Sequence, residues 1–249
     1  MSRYIRELRN RALAVRLAIA GRIHQYPEIL ALRRFTQAMQ VDALFDVGAN
    51  YGQYAQMLRQ DVGFGGHIFS FEPNPDVFAA LRKTAERDPR WHVYNMALSD
   101  FDGVAPFHIM AAHQFSSIER PAEGLDEVFA PRNRVEKVVE MQCRRLDGLI
   151  DELLAPYALA RPFLKMDTQG HDRSVCEGAS ASLPRMLGVQ TELAVRPLYA
   201  GATGYRDMIA YLEARGFVPN AMFANNKGHF PLLVEMDGIF IRRDLAGLE

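Results

Sequence analysis

The chain of 249 residues has two cysteines, a single tryptophan and a formal net charge of only −1. Cys143 and Cys176 are far apart and lack metal-ligand spacing, so neither a disulfide framework nor a cysteine metal cluster organises this protein. They read as reduced thiols in or near the core of a cytoplasmic protein. The small net charge lacks the basic excess typical of nucleic-acid-binding domains, which argues against nucleic acid as the main partner. No apolar run approaches the ~18 residues of a transmembrane helix. The opening Met1-Ser2-Arg3-Tyr4-Ile5-Arg6-Glu7 lacks the order of regions of a secretory signal. What remains is a globular composition, 49% hydrophobic and 24% charged, long enough for a large core.

Charge is unevenly placed. Residues 1–40 hold eight arginines (Arg3, Arg6, Arg9, Arg11, Arg16, Arg22, Arg33 and Arg34) against only Glu7 and Glu28. Ile5, Leu8, Leu13, Val15, Leu17 and Ile19 fall between them in a helical pattern. This segment reads as a basic helical N-terminal extension to a main domain over 41–249. It is expected to pack on that domain or on a second copy of the chain; a membrane surface or an acidic partner is the alternative.

From residue 42 strands alternate with helices, the pattern of a doubly wound α/β domain. Strands are expected at Ala43–Val47, His67–Phe71, Trp91–Met96, Phe163–Met166, Leu187–Thr191 and Phe217–Phe223. A seventh, Gly238–Arg242, is expected as an antiparallel edge strand. This makes a seven-stranded, mostly parallel Rossmann-like sheet with helices on both faces and a β insertion after the third strand, with segments near Val104–Ile109 and Val135–Gln142.

Two strand ends carry the strongest signal. Asp46-Val47-Gly48-Ala49-Asn50-Tyr51-Gly52 is a glycine-rich turn between a strand and a helix, where backbone N–H groups can approach a ligand. Glu72 closes the second strand, where an acid commonly binds ribose hydroxyls. A dinucleotide site would place a third glycine at position 53, which is Gln. The turn is similar to motif I of the class I S-adenosylmethionine-dependent methyltransferases. Asp167 and Glu192 add two more acids at the ends of later strands. Four acids at corresponding positions predict a polar crevice that could hold a cationic cofactor, sugar hydroxyls or a metal.

The ordered set Phe45–Gly52, Phe71-Glu72-Pro73-Asn74-Pro75, Ala97-Leu98-Ser99-Asp100, Arg145-Leu146-Asp147 and Leu164-Lys165-Met166-Asp167-Thr168-Gln169-Gly170 resembles the FkbM family of S-adenosylmethionine-dependent methyltransferases over roughly residues 41–243. The resemblance implies O-methylation of sugars, glycolipids or polyketide natural products. It places Asp46, Gly48, Asn50 and Gly52, with Tyr54 just beyond, on the loop around the methionine part of the cofactor. Glu72 falls at the ribose, and Asn95, Ala97 and Ser99 near the adenine. The Gln114-Phe115-Ser116-Ser117 segment approaches the site, with Ser116 as a cofactor contact. Asp167 corresponds to the acid of the family's K-I-D-V-E-G motif, whose Glu is Gln169 in this chain.

An acceptor hydroxyl needs a base or a metal to become nucleophilic. Asp167 and His171 are the candidate bases; a surface histidine in the first turn of a helix is the alternative for His171. Asp167 and Glu192 could hold magnesium or manganese. Glu192 could instead bind substrate hydroxyls or pair with Arg196. His67, His92 and His108 read as structural, whereas His113 and His229 lie near site segments. Tyr199 and Tyr205 bracket a glycine-rich loop that is either a lid or a plain connector. Competing functions are an N- or protein methyltransferase, a non-catalytic cofactor-binding module and a nicotinamide oxidoreductase.

Overall fold

The computed structural model describes residues 3–122, 131–224 and 231–247. Two helices open the chain, α1 (Arg3–Ile19) and α2 (Tyr26–Ala38). They are followed by β1 (Ala43–Val47), α3 (Gln53–Met57), β2 (His67–Phe71), α4 (Pro75–Ala85) and β3 (Trp91–Tyr94). The insertion comprises β4 (Ala97–Leu98), β5 (Gly103–Met110) and β6 (Val135–Arg144), and α5 (Ile150–Leu154) returns to the main layer. The chain then runs through β7 (Pro162–Met166), α6 (Asp172–Gly178), β8 (Gly188–Ala194), α7 (Tyr205–Glu213), β9 (Phe217–Ala224) and β10 (Glu235–Arg242).

Seven strands form one sheet in the order β3-β2-β1-β7-β8-β10-β9, and β4-β6-β5 form a smaller one. All residues of β1 and β7 are buried, as expected for central strands covered on both faces. Successive side chains alternate between the two covers. Phe45, Leu164 and Val189 pack with Ile150, Val175 and Leu212 of α5, α6 and α7. Leu44, Phe163 and Ile239 pack on the other face with Leu32, Ala55 and Leu81 of α2, α3 and α4.

One topological expectation is corrected. β10 is antiparallel but interior, hydrogen-bonded to β8 on one side and β9 on the other. β9 is the edge. The reason is legible in burial: Gly238, Ile239, Phe240 and Ile241 are consecutively buried, which requires cover on both faces. β9 instead alternates toward solvent, with its first residue, Phe217, buried. β10 also starts three residues earlier than expected, which matters for the site below.

The N-terminal helices pack on the domain. Leu13 and Leu17 of α1, and Ile29 and Phe35 of α2, join the core on the α3–α4 side. Asp61, 4% exposed, anchors them. Arg16 and Arg22 pair with its carboxylate, the latter at 2.9 Å, and Arg33 donates to its carbonyl oxygen. Among the described residues no helix is long and apolar enough to cross a membrane.

Candidate active site

β1 runs directly into the turn because the N–H groups of Gly48 and Ala49 donate to Phe71 O of β2, at 3.1 and 3.0 Å. Gly48 has φ +76, and a Cβ there would stand 1.9 Å from the carbonyl oxygen of Asp167. Gly52, φ +81, would place a Cβ 2.6 Å from the Trp91 ring. Both glycines are therefore required where backbone or ring packs against the turn. Close approach to a ligand is not what demands them.

Glu72 lies opposite this turn, 6% exposed. Its oxygens accept from the backbone N–H groups of Asn50 at 2.7 Å and Asn74 at 2.8 Å. Burial raises its carboxyl to about 7, and those two hydrogen bonds only partly oppose the shift. Asn50 itself takes the left-handed conformation, φ +49. Asn95 donates to the carbonyls of Glu72 and Pro73 at 2.9 and 3.0 Å, so it braces the turn behind the acid.

Beneath the turn a belt of polar side chains crosses the strands. Trp91 Nε1 donates to Ser70 Oγ at 2.9 Å, and Ser70 to Asp46 at 3.1 Å. Lys165 Nζ stands 3.0 Å from Asp46 Oδ1 and 5.0 Å from the centre of the Tyr54 ring. Burial works against the ammonium, but the Asp46 and Asp167 carboxylates outweigh it and hold it above its usual range. Tyr54 donates to Gln190 at 2.7 Å, and Gln190 donates to Glu28 of α2 at 2.8 Å. Burial and the nearby Glu28 carboxylate raise the Tyr54 phenol well above its usual range, which keeps it a donor.

A second acidic end forms where β7, β8 and β10 meet. Glu192 and Asp237 are direct cross-strand neighbours, and Glu235 lies two residues before Asp237 on the same face. Burial raises the carboxyls of Glu192 and Asp237 well above the usual range, with the Asp167 charge adding to the first and the Glu28 and Asp167 charges to the second. Burial followed by the Asp167 charge brings Glu235 to about 7. Gln169 Nε2 donates to Asp167 at 2.7 Å and Glu192 at 3.2 Å.

That amide bridges Asp167 and Glu192, the two residues expected as a metal pair. Among the described residues no group of three or more His, Cys, Asp or Glu side chains is arranged to hold a metal. The donor set is a hydrogen-bonded carboxylate group.

These elements line one cavity of about 900 Å³. Val47, Gly48, Asn50, Glu72 and Ala97 wall one end; Asp167, Gln169, Glu192, Glu235 and Asp237 wall the other. His113, Gln114, Phe115 and Ser116 roof it from the insertion, and Tyr54 and Lys165 lie between. Asp46, Gly52, Asn95 and Ser99 do not line it: Asp46, Gly52 and Ser99 are buried behind the wall, and Asn95 is exposed outside it.

His171 lines the cavity but both its ring nitrogens are engaged, Nδ1 with Glu119 at 2.9 Å and Nε2 with Ser99 Oγ at 3.0 Å. It occupies the N-cap position of α6 and is 6% exposed, so it is no surface histidine. Ser117 donates toward the carbonyls of Thr168 and Gln169 at 3.1 and 2.8 Å and clasps the insertion to the end of β7. Tyr199 is 3% exposed and outside the cavity lining, its hydroxyl donating to Phe115 O at 2.9 Å and Gln169 Oε1 at 2.8 Å, which fixes it behind the wall and away from any stacking role. His67 and His92 bond each other at 3.0 Å far from the cavity, and His108 bonds Ile118 O at 3.1 Å. His229 lies outside the described residues.

Sequence reasoning missed Glu28, Lys165, Gln190, Glu235 and Asp237 as cavity residues. Glu235-Met236-Asp237 carried a usable signal: acids two apart in a strand share a face. Glu28 had none, because only the packing of α2 brings it to the site.

Three relatives are similar over much of their length. The 31-O-demethyl-FK506 methyltransferase FkbM of Streptomyces tacrolimicus is 29% identical over 80% of this chain and 82% of its own. The 2-O-methyltransferase NoeI of Sinorhizobium fredii is 26% identical over 69% and 71%. The hexuronic acid methyltransferase AglP of Haloferax volcanii is 26% identical over 63% of this chain, which spans only 58% of that protein's length. The model of the methyltransferase FkbM domain matches residues 46–219, from the buried Asp46 through the cavity strands to the start of β9. The chain belongs to the FkbM methyltransferase domain family.

Proposed function

We propose that the protein moves a methyl group from S-adenosylmethionine to a hydroxyl oxygen of a carbohydrate, glycolipid or polyketide-type natural product. The observation that carries this reading is one continuous cavity joining the Glu72 turn to a group of buried carboxylates. Its volume of about 900 Å³ is at the upper end of small-molecule sites, room for a nucleoside cofactor and an acceptor side by side. The relatives' names, which specify a hexuronic acid, a 2-O position and a 31-O position, support hydroxyl acceptors.

The residues present fit the cofactor. Glu72 would offer carboxylate lone pairs to a ribose diol, and the 47–50 turn would hold the methionine part. Ala97 would lie on the adenine side, and Ser116 would reach the cofactor from the roof. Asp46, Gly52, Asn95 and Ser99 serve from outside the cavity, through Lys165, Trp91, the Glu72 turn and His171. When bound, S-adenosylmethionine supplies an electrophilic methyl group that an oxygen can attack in line. The acidic end orients the acceptor hydroxyl, and a carboxylate there takes its proton as the new bond forms. Asp167 stands at the junction of the two ends. Glu235, titrating near neutrality and with no hydrogen bond to its carboxyl among the described residues, receives the proton from it or directly. His171 holds the Glu119 segment against α6 and acts as base only after releasing Ser99.

Calorimetric titration with S-adenosylmethionine and S-adenosylhomocysteine tests the cofactor. Glu72→Ala should weaken binding by about 10- to 100-fold, the worth of charge-assisted hydrogen bonds. Absence of binding by the unaltered protein, or binding of NAD in its place, overturns the reading. A panel of hydroxylated sugars and polyketides, scored for transfer of a labelled methyl group, then selects the acceptor class.

A further inference from the structure

Helix α1 has two apolar faces, and the fold uses one. Leu13 and Leu17 are buried at 5% and 1% exposure. Leu8, Val15 and Ile19 are 47%, 59% and 84% exposed, with Ile5 at 47% on the same side. At 100° per residue these four positions fall within an arc of about 80°, well separated from the buried pair. A stripe so ordered on a helix that is already docked points to a second surface.

The charge around the stripe says what kind. Arg9 and Arg16 border it on one edge and Arg11 on the other, at their helical angles, and all three are exposed, Arg16 while paired with Asp61. Eight arginines stand in residues 1–40 against Glu7 and Glu28, and Asp61, on which Arg16 and Arg22 converge, adds one further acid, so the segment keeps a positive excess by count. The chain as a whole carries −1, which makes this excess local to the N-terminal helices. An apolar stripe edged by arginines fits the headgroup boundary of an anionic bilayer, with apolar side chains in the acyl region and guanidinium groups at the phosphates. A second copy of the same helix would set arginine against arginine.

The stripe also leads to the cavity. Ile23, 48% exposed, follows Ile19 and lies between Arg22 and Gln25, both of which line the cavity wall. We propose that α1 docks the protein on an anionic membrane surface, which places the α1–α2 side of the cavity next to the lipid headgroups. Docking does not depend on methyl transfer, and its test is separate.

The full chain is sedimented with vesicles of pure phosphatidylcholine and of mixed phosphatidylcholine and phosphatidylglycerol, beside a Leu8→Gln, Val15→Gln, Ile19→Gln variant. Thermal unfolding followed by circular dichroism confirms that the variant keeps its fold, since all three side chains are exposed. The unaltered protein should pellet with the mixed vesicles, lose binding in high salt and remain in solution with pure phosphatidylcholine. The variant should bind on the order of tenfold more weakly or less tightly still. The proposal falls if the unaltered protein ignores both vesicles, binds both equally, or is matched by the folded variant. It also falls if gel filtration shows a dimer that the variant converts to monomer without vesicle binding, since the stripe is then a contact between copies.

Discussion

Gln169 stands 3.2 Å from Glu192 through its side-chain amide nitrogen, whose other hydrogen goes to Asp167 at 2.7 Å. One neutral side chain thus satisfies two carboxylates that would otherwise repel. Gln169→Glu removes both donated hydrogens and adds a third acid. It should destabilise the protein by about 1–3 kcal/mol at neutral pH, with partial recovery as pH falls. Urea unfolding at two pH values checks this; equal loss at both would refute it.

Lys165 and Asp46 form a pair buried at 6% and 0% exposure beneath the cavity. Lys165→Met leaves Asp46 charged and unmatched, and should cost about 3–5 kcal/mol. The double variant Lys165→Met, Asp46→Leu should recover part of that loss. A double-mutant cycle in denaturant measures the recovery.

Glu72 and Glu235 give the protein alone a pH dependence with a definite sign. Each has its folded value raised from 4.5 to about 7, so each holds its proton longer folded than unfolded. Their contribution to stability is fully present below about pH 4.5 and is lost as pH rises through 7. For Glu72 the difference amounts to about 3 kcal/mol. Glu72→Gln should flatten this part of the stability profile, as measured by melting temperature across the window.

Glu235 as a proton acceptor predicts a rising limb of kcat/KM with an apparent value near 7. Glu235→Gln should remove that limb and lower kcat more than it raises KM. An unchanged pH profile in the variant would place the proton elsewhere.

His171 separates positioning from proton transfer. His171→Asn can still bond Glu119 or Ser99 but cannot serve as a base near neutrality. If His171 positions the insertion, His171→Asn keeps most of the rate that His171→Ala loses. If it is the base, both lose about 10²- to 10⁴-fold in kcat. Single-turnover methyl transfer on the two variants decides between them.

Much of the scaffold could be read before any coordinates. Apolar patterning located nine of the ten described strands, from Ala43–Val47 to Glu235–Arg242, most plainly in β1 and β7, which are buried on both faces and therefore nearly continuously apolar. Asn74-Pro75 announced the start of α4, and Asn74 does accept from Asp76 N at 3.1 Å. Glu72, Asn50 and Asp167 were legible as cavity residues because strand ends and turn chemistry are local.

What was not legible depends on packing between distant segments. Burial of consecutive residues puts β10 inside the sheet, a fact about covers on its two faces that a strand of that length does not announce. Asp46 reads as a ligand-facing acid, yet it turns toward Lys165 because the neighbouring strand supplies a buried ammonium at 3.0 Å. Glu28 reaches the cavity, and the acids at 192, 235 and 237 share one end, only once α2 and three strands have come together. Local pattern therefore specifies the elements and their turns, since it acts over a few residues. The charge environment of the site is set by side chains far apart in the chain, such as Glu28 and Gln190, 162 positions apart, and long-range packing alone brings these into contact.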